Sequence, residues 1–146
     1  MTRAIAIVIL VASFLTALPV ASQDLKPLKD TLANSGPVYV ATRCAGLYLS
    51  LVQWIGEERI IERMGEQQSQ KMMSAIGQYM GFAVDLGQPE SGSSVEEFTS
   101  IVTRDAANIA GLYLTRMERN YAASGQGFGE DPLINGDLDL CKFLGE

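Results

Sequence analysis

Val38 to Ile55, with the sequence VYVATRCAGLYLSLVQWI, is the most apolar segment of the chain after residue 22. Along one face of this segment the apolar residues are Cys44, Tyr48, Leu51 and Ile55. Their spacing of i, i+4, i+7 and i+11 is typical of an α-helix. Others, such as Leu47, Leu49 and Val52, extend the apolar surface nearly all round. A helix that is apolar on most faces belongs at the centre of a bundle, and Pro37 suits its first turn.

Two more long helices are predicted downstream of this central one. Residues 57–84 have apolar residues on one side, with a kink or break at Gly65 as the alternative to one continuous helix. Residues 86–92 (LGQPESG) predict a loop, because glycine and proline interrupt them. Ser94 to Glu97 matches a capping box, which predicts the start of the third long helix. Gly125 is the predicted C-terminal stop of that helix.

The two cysteines, Cys44 and Cys141, lie near opposite ends of the chain after residue 22. We expect a short helix within residues 131–144 to carry Cys141 back to Cys44, and the two to form a disulfide. A reactive thiol or a metal-binding pair is the alternative, although no histidine is available to support either. We predict an all-α fold, a small helical bundle of three long helices plus one or two short ones, closed by one disulfide.

Residues 1–22 have the pattern of a secretory signal peptide. Arg3 supplies a positive start, residues 4–18 (AIAIVILVASFLTAL) are apolar, and Val20-Ala21-Ser22 offers a small-residue cleavage site. The alternative, a membrane anchor, requires about 20 apolar residues. We therefore expect cleavage after Ser22, a mature start at Gln23 and one helical domain over residues 23–146. Export and a disulfide together predict a periplasmic or secreted protein without a stable membrane anchor.

Charge and composition argue against several classes of function. The chain has 11 Lys plus Arg, 17 Asp plus Glu, a net charge of −6 and no histidine. An acidic chain without a basic run is a poor partner for nucleic acid. Without histidine, no Ser-His-Asp or Cys-His site and no His-based metal site can form in this chain. We expect no cofactor and no enzymatic activity. A carboxylate hydrolase is the remaining enzymatic alternative, with Glu57, Glu62 and Asp105 as candidates.

One five-residue motif occurs twice. Residues 45–49 and 110–114 both read AGLYL, and both copies fall inside predicted helices. Under the structural interpretation, Gly46 and Gly111 allow the two helices to cross closely. Under the functional one, Tyr48 and Tyr113 line a pocket for an apolar or aromatic ligand. A buried tyrosine more often satisfies its hydroxyl within the core, which favours the structural interpretation.

The acidic segment from Asp131 to Asp139 resembles part of a calcium-binding loop. It has oxygen-bearing side chains at positions 1, 5 and 9 and glycine at position 6, but Leu133 and Lys142 occupy two ligand positions of an EF-hand loop. The pattern instead favours a turn at Asn135-Gly136, with Asp137 and Asp139 near a helix N-terminus, and a weak calcium site of a type other than the EF-hand is the alternative. We expect no metal site here.

These patterns predict an exported helical protein that acts by binding another protein in the cell envelope, as an inhibitor, chaperone or accessory subunit. A carrier of a small apolar ligand is the first alternative and a carboxylate hydrolase the second. An apolar patch on the outside would favour the protein-binding function, and a cavity would favour the carrier.

Overall fold

A computed structural model describes residues 24–144, with side chains described as far as Lys142. The signal peptide and the mature start expected within residues 1–23 lie outside the described residues. The helices within this range are α1 (Leu28–Thr31), α2 (Pro37–Ile55), α3 (Glu57–Met64), α4 (Glu66–Ser91), α5 (Val95–Ser124) and α6 (Pro132–Leu144). No strand is present between residues 24 and 144. The predicted all-α bundle is therefore confirmed, with α2, α4 and α5 as its long helices.

Helix α2 lies at the centre and contacts α3, α4, α5 and α6. Its residues from Ala41 to Leu47 are all buried, as the nearly all-round apolar pattern predicts. Helices α4 and α5 also pack on each other. None of the helices between residues 24 and 144 is long and apolar enough to cross a membrane.

The disulfide between Cys44 of α2 and Cys141 of α6 is present, with a Cα–Cα distance of 5.6 Å. Both cysteines are fully buried. The prediction that the C-terminal helix returns to α2 is thus confirmed, and the crosslink ties α6 to the central helix.

Most of the predicted helix ends are found where the sequence places them. Ser94 and Glu97 form the capping box, with the Glu97 backbone N–H donating to Ser94 Oγ at 3.2 Å. Gly125, at φ 77°, ends α5 in the left-handed conformation. Gly65, at φ 86°, separates α3 from α4, so the break is correct and one continuous helix is wrong.

The loop predicted at residues 86–92 is wrong, because α4 continues to Ser91 and ends at Gly92. Gly87 explains this continuation. A Cβ there would lie 2.5 Å from the ring of Phe98 and 3.0 Å from Val38. This glycine lets α5 and α2 pack directly against the last turns of α4, which holds them helical. The gain from tertiary packing outweighs the low helix propensity of glycine and proline.

Candidate functional site

Three fully buried side chains form a polar cluster where α2, α5 and α6 meet. Arg43 and Asp137 are each 1 % exposed, and Tyr113 is 0 % exposed. Arg43 Nη2 lies 2.6 Å from Asp137 Oδ2, and Arg43 Nε donates to Tyr113 Oη at 2.9 Å. The Tyr113 hydroxyl in turn donates to Asp137 Oδ2 at 2.5 Å. We refer to Arg43, Tyr113 and Asp137 as the polar cluster.

The polar cluster also holds the chain that precedes α2. The backbone N–H of Leu28 donates to Asp137 Oδ1 at 2.7 Å, and Arg43 Nη2 donates to the Lys26 carbonyl at 2.5 Å. Arg43 Nη1 donates to Tyr39 Oη at 3.2 Å. The cluster therefore joins the start of α1 to three of the larger helices.

Burial shifts the titration of two members of the cluster. Burial raises the pKa of Tyr113, and the neighbouring Asp137 charge raises it further, so the phenol stays neutral. Burial lowers the pKa of Arg43, but its tyrosine and aspartate partners outweigh that effect and raise it. The result is a charged pair in which each ion is neutralised and hydrogen-bonded. This arrangement makes the cluster structural, since an unpaired buried charge would be strongly destabilising.

A cleft of about 780 Å³ adjoins the polar cluster, between the segment before α1, helix α2 and helix α5. This volume lies within the usual range of small-molecule sites, roughly 300–1,000 Å³. Its lining mixes apolar and polar side chains, and Arg43 is the buried charge among them. The lining residues include Leu25, Lys26, Val38, Tyr39, Ile109 and Leu112. We call it the Arg43 cleft.

A second concave site lies on the other side of α2. Tyr48 stacks on Tyr79 with ring centroids 6.1 Å apart, and Tyr79 meets Phe82 edge to face at 6.5 Å. Beside these rings is a hollow of about 280 Å³. Its lining comprises Tyr48, Lys71, Ser74, Ala75, Gln78, Tyr79, Cys141 and Lys142. We call it the lysine-rimmed hollow.

The floor of the lysine-rimmed hollow is held in place. The Tyr79 hydroxyl donates to the carbonyl of Cys141, the residue that the disulfide fixes to α2. Burial, followed by the proximity of Tyr48, raises the pKa of Tyr79 to about 12. Burial also raises the pKa of Tyr48. Both rings are therefore neutral near pH 7, and they present an apolar, aromatic floor.

The two AGLYL copies have different environments. A Cβ on Gly46 would lie 2.7 Å from Ile109 Cγ2 and 2.8 Å from the Ala106 carbonyl oxygen, so α2 and α5 cross closely at Gly46. Gly111 is exposed, with nothing within 4 Å of such an atom, so the close crossing predicted there is wrong. An α-helix presents each residue to one direction only, and Gly111 follows Ile109 by two residues, about 200° around the helix from the face that meets Gly46.

The tyrosines of the two copies do not form a pair. Tyr48 stacks on Tyr79 at the lysine-rimmed hollow, whereas Tyr113 is bonded to Arg43 and Asp137 within the core. Neither tyrosine lines the Arg43 cleft. Tyr113 thus satisfies its hydroxyl internally, as the structural interpretation expects.

The acidic residues near the C-terminus have structural roles. Asp131 Oδ1 accepts from the backbone N–H groups of Leu133 and Ile134 at the start of α6, and its Oδ2 accepts from Arg116 Nε at 2.7 Å and Asn120 Nδ2 at 2.6 Å. Burial raises the pKa of Asp131, but these hydrogen bonds outweigh it and lower the pKa below its ordinary value.

Helix α6 runs through Asn135 and Gly136, so the predicted turn there is wrong, and Asp137 lies mid-helix rather than at its start. The calcium-loop geometry cannot form, because a helix separates the oxygens that a loop would gather. Over residues 24–144, no group of three or more His, Cys, Asp and Glu residues is arranged to hold a metal ion.

The three carboxylates considered for hydrolysis lie on two different helices. Glu57 and Glu62 are exposed on α3, which packs on α2 and α4. Asp105 lies on α5, 3.2 Å from Arg104, at the edge of the Arg43 cleft.

Sequence reasoning missed Arg43 and Asp137 as partners. A signal was present, because Arg43 is the one charged residue within the apolar segment from Val38 to Ile55. A charge at the centre of a buried helix requires an opposite charge, and Asp137 supplies it from 94 residues away. The lysine-rimmed hollow was also missed apart from Tyr48, since its lining comes from three helices.

Comparison of the chain with protein-family models, curated proteins and solved structures finds no match.

Proposed function

We propose that this chain is an exported protein that binds another protein in the cell envelope, and that the partner docks at the lysine-rimmed hollow. The observation that carries the proposal is a rigid aromatic floor that opens to the surface. Phe82, which packs against Tyr79, and Leu86, one turn further along α4, are 50 % and 49 % exposed. Energetic centres of protein interfaces are enriched in tyrosine and lie in well-packed pockets from which the surrounding contacts exclude water.

The rim of the hollow indicates the chemistry of the partner. Lys71 and Lys142 are two of the four lysines in a chain whose net charge is −6. Lys142 lies 3.7 Å from Asp139 in an exposed pair, which holds it only weakly. A local positive rim on an acidic protein favours a partner segment with an apolar anchor flanked by Asp or Glu.

The disulfide and the N-terminal segment support the cellular location in this proposal. A buried disulfide joins α2, the first long helix, to the C-terminal helix α6, and such crosslinks persist in oxidising compartments. Residues 1–22 have the order of charge, apolar core and small residues of a secretory signal. Together these two features support the proposed periplasmic or secreted location.

Site-specific photo-crosslinking in the native envelope tests this proposal. A photoreactive residue at Gln78, which lines the hollow, should yield one discrete adduct with another protein. The same residue at Gln70, exposed on the same helix but outside the hollow, is the matched control. Equal adduct patterns at the two positions, or none at Gln78, would contradict docking at the hollow.

Charge reversal gives a second arm of the same experiment. Lys71→Glu should reduce the Gln78 adduct, because it replaces the positive rim with a negative one facing an acidic partner. Lys29→Glu is the control, because it changes the net charge of the chain by the same amount at an exposed position on α1, and it should leave the adduct unchanged. A loss that is equal in both variants would indicate a general charge effect and would refute the assigned rim.

A further inference from the structure

The Arg43 cleft has an apolar wall on two helices. Val38 and Tyr39 lie on the first turn of α2, and Ile109 and Leu112 lie on α5 at a spacing that places them on one face. Leu25 contributes from the segment before α1. These side chains provide an apolar surface that a hydrocarbon chain could cover, with water excluded from both.

The polar end of the cleft contains a donor with spare capacity. A guanidinium has five N–H groups. The described residues accept from four of those on Arg43: one on Nε, one on Nη1 and two on Nη2. The Nη atoms bond to Lys26 and Tyr39, which both line the cleft. The remaining N–H, on Nη1, has no acceptor among residues 24–142, and Arg43 is itself one of the residues that line the cleft.

Three of the four charged residues that line the cleft form ion pairs, and Lys26 is the fourth. Asp24 pairs with Arg119 at 2.9 Å, Asp105 pairs with Arg104 at 3.2 Å, and Arg43 pairs with Asp137. Lys26 forms no ion pair with any residue from 24 to 142. The Tyr39 hydroxyl, which accepts from Arg43, still has its own proton to donate.

We propose that the Arg43 cleft binds a small amphipathic carboxylate of the medium-chain fatty acid class. The hydrocarbon chain lies along Val38, Ile109 and Leu112. The carboxylate faces Lys26, the Tyr39 hydroxyl and the spare Nη1 N–H of Arg43. This site is separate from the lysine-rimmed hollow, so it goes beyond the proposed binding of a protein partner.

Calorimetric titration of the mature, disulfide-bonded protein with decanoate tests the ligand class. We expect saturable binding with one molecule per chain. Decanol, which has the same chain length and no charge, should bind at least about five-fold more weakly, since it lacks a charge-assisted hydrogen bond. Absence of saturable decanoate binding, or equal affinity for decanol, would overturn the proposal.

Paired variants test the location. Asn108→Trp fills the cleft from α5 and should weaken decanoate binding more than about ten-fold. Ala107→Trp is the control, because Ala107 is exposed at the preceding position and does not line the cleft, so decanoate affinity should be unchanged. Lys26→Gln should weaken decanoate binding about two- to five-fold, which is the effect expected from the loss of one exposed ion pair. Lys29→Gln, at an exposed position on α1, should leave decanoate affinity unchanged. Unchanged affinity in Asn108→Trp would place the ligand elsewhere and refute the site. The Gln78 crosslink should persist in Asn108→Trp, which separates this test from that of the protein partner.

Discussion

The two AGLYL copies provide a matched pair of substitutions whose effects on stability should differ in sign. Alanine at Gly46 places its Cβ 2.7 Å from Ile109 Cγ2, 2.9 Å from Ile109 Cβ and 2.8 Å from the backbone oxygen of Ala106. Carbon atoms prefer separations of about 3.5–4.0 Å, so α2 and α5 must move apart. Overpacking of this kind costs about 1–3 kcal/mol. Alanine at Gly111 meets nothing within 4 Å and carries no such cost.

Both substitutions replace a helical glycine with alanine, which favours the helix by about 1 kcal/mol. Gly111→Ala should therefore raise the free energy of unfolding by about 1 kcal/mol. Gly46→Ala should lower it by up to about 2 kcal/mol, because the packing term opposes the same gain. The helix-propensity term cancels in the difference between the two variants. That difference, about 1–3 kcal/mol, measures the close crossing at Gly46 alone.

Urea unfolding of the disulfide-bonded protein, followed by circular dichroism, measures these free energies. The slope of the free energy of unfolding against urea concentration should be the same in the wild type, Gly46→Ala and Gly111→Ala, so that the urea midpoints report differences in stability. A Gly46→Ala variant as stable as Gly111→Ala would refute the close approach of α2 and α5.

Three further predictions concern the crosslink and the buried charges. Replacing both Cys44 and Cys141 with Ser should lower the free energy of unfolding by about 2–5 kcal/mol, and unchanged urea midpoints would contradict this. Asp137→Asn leaves Arg43 buried without its counter-charge and should cost about 3–5 kcal/mol, whereas Asp24→Asn, in an exposed pair, should cost less than about 1 kcal/mol by the same assay. Because the pKa of Asp131 is lowered by folding, its ionised form stabilises the protein above its unfolded pKa of about 4, and that contribution is lost as the pH falls through the lower folded value. Between pH 5 and pH 2, the free energy of unfolding measured in urea should therefore fall more steeply with decreasing pH in the wild type than in Asp131→Asn. Parallel pH profiles would show that Asp131 does not contribute.

The sequence by itself determined the features that depend on local periodicity and on single residues. The apolar pattern of Val38 to Ile55 predicts the central helix, and Ser94 and Gly125 mark the start and the end of α5. These signals are readable because a cap or a repeat acts within one or two turns of the chain. The disulfide was predictable because the chain has two cysteines and therefore only one possible internal pairing.

Only the tertiary structure decided what the glycines and the buried charges do. Gly87 continues a helix and Gly65 interrupts one, although both are glycines in a helical pattern. The difference arises from Phe98, which packs on Gly87, while nothing lies within 4 Å of a Cβ at Gly65. Identical motifs likewise differ, because Gly46 faces α5 and Gly111 faces outward. Arg43 and Asp137 are 94 residues apart, and no local pattern links them. Their pairing exists because packing of α6 on α2 removes both charges from water, and burial then requires that each be neutralised.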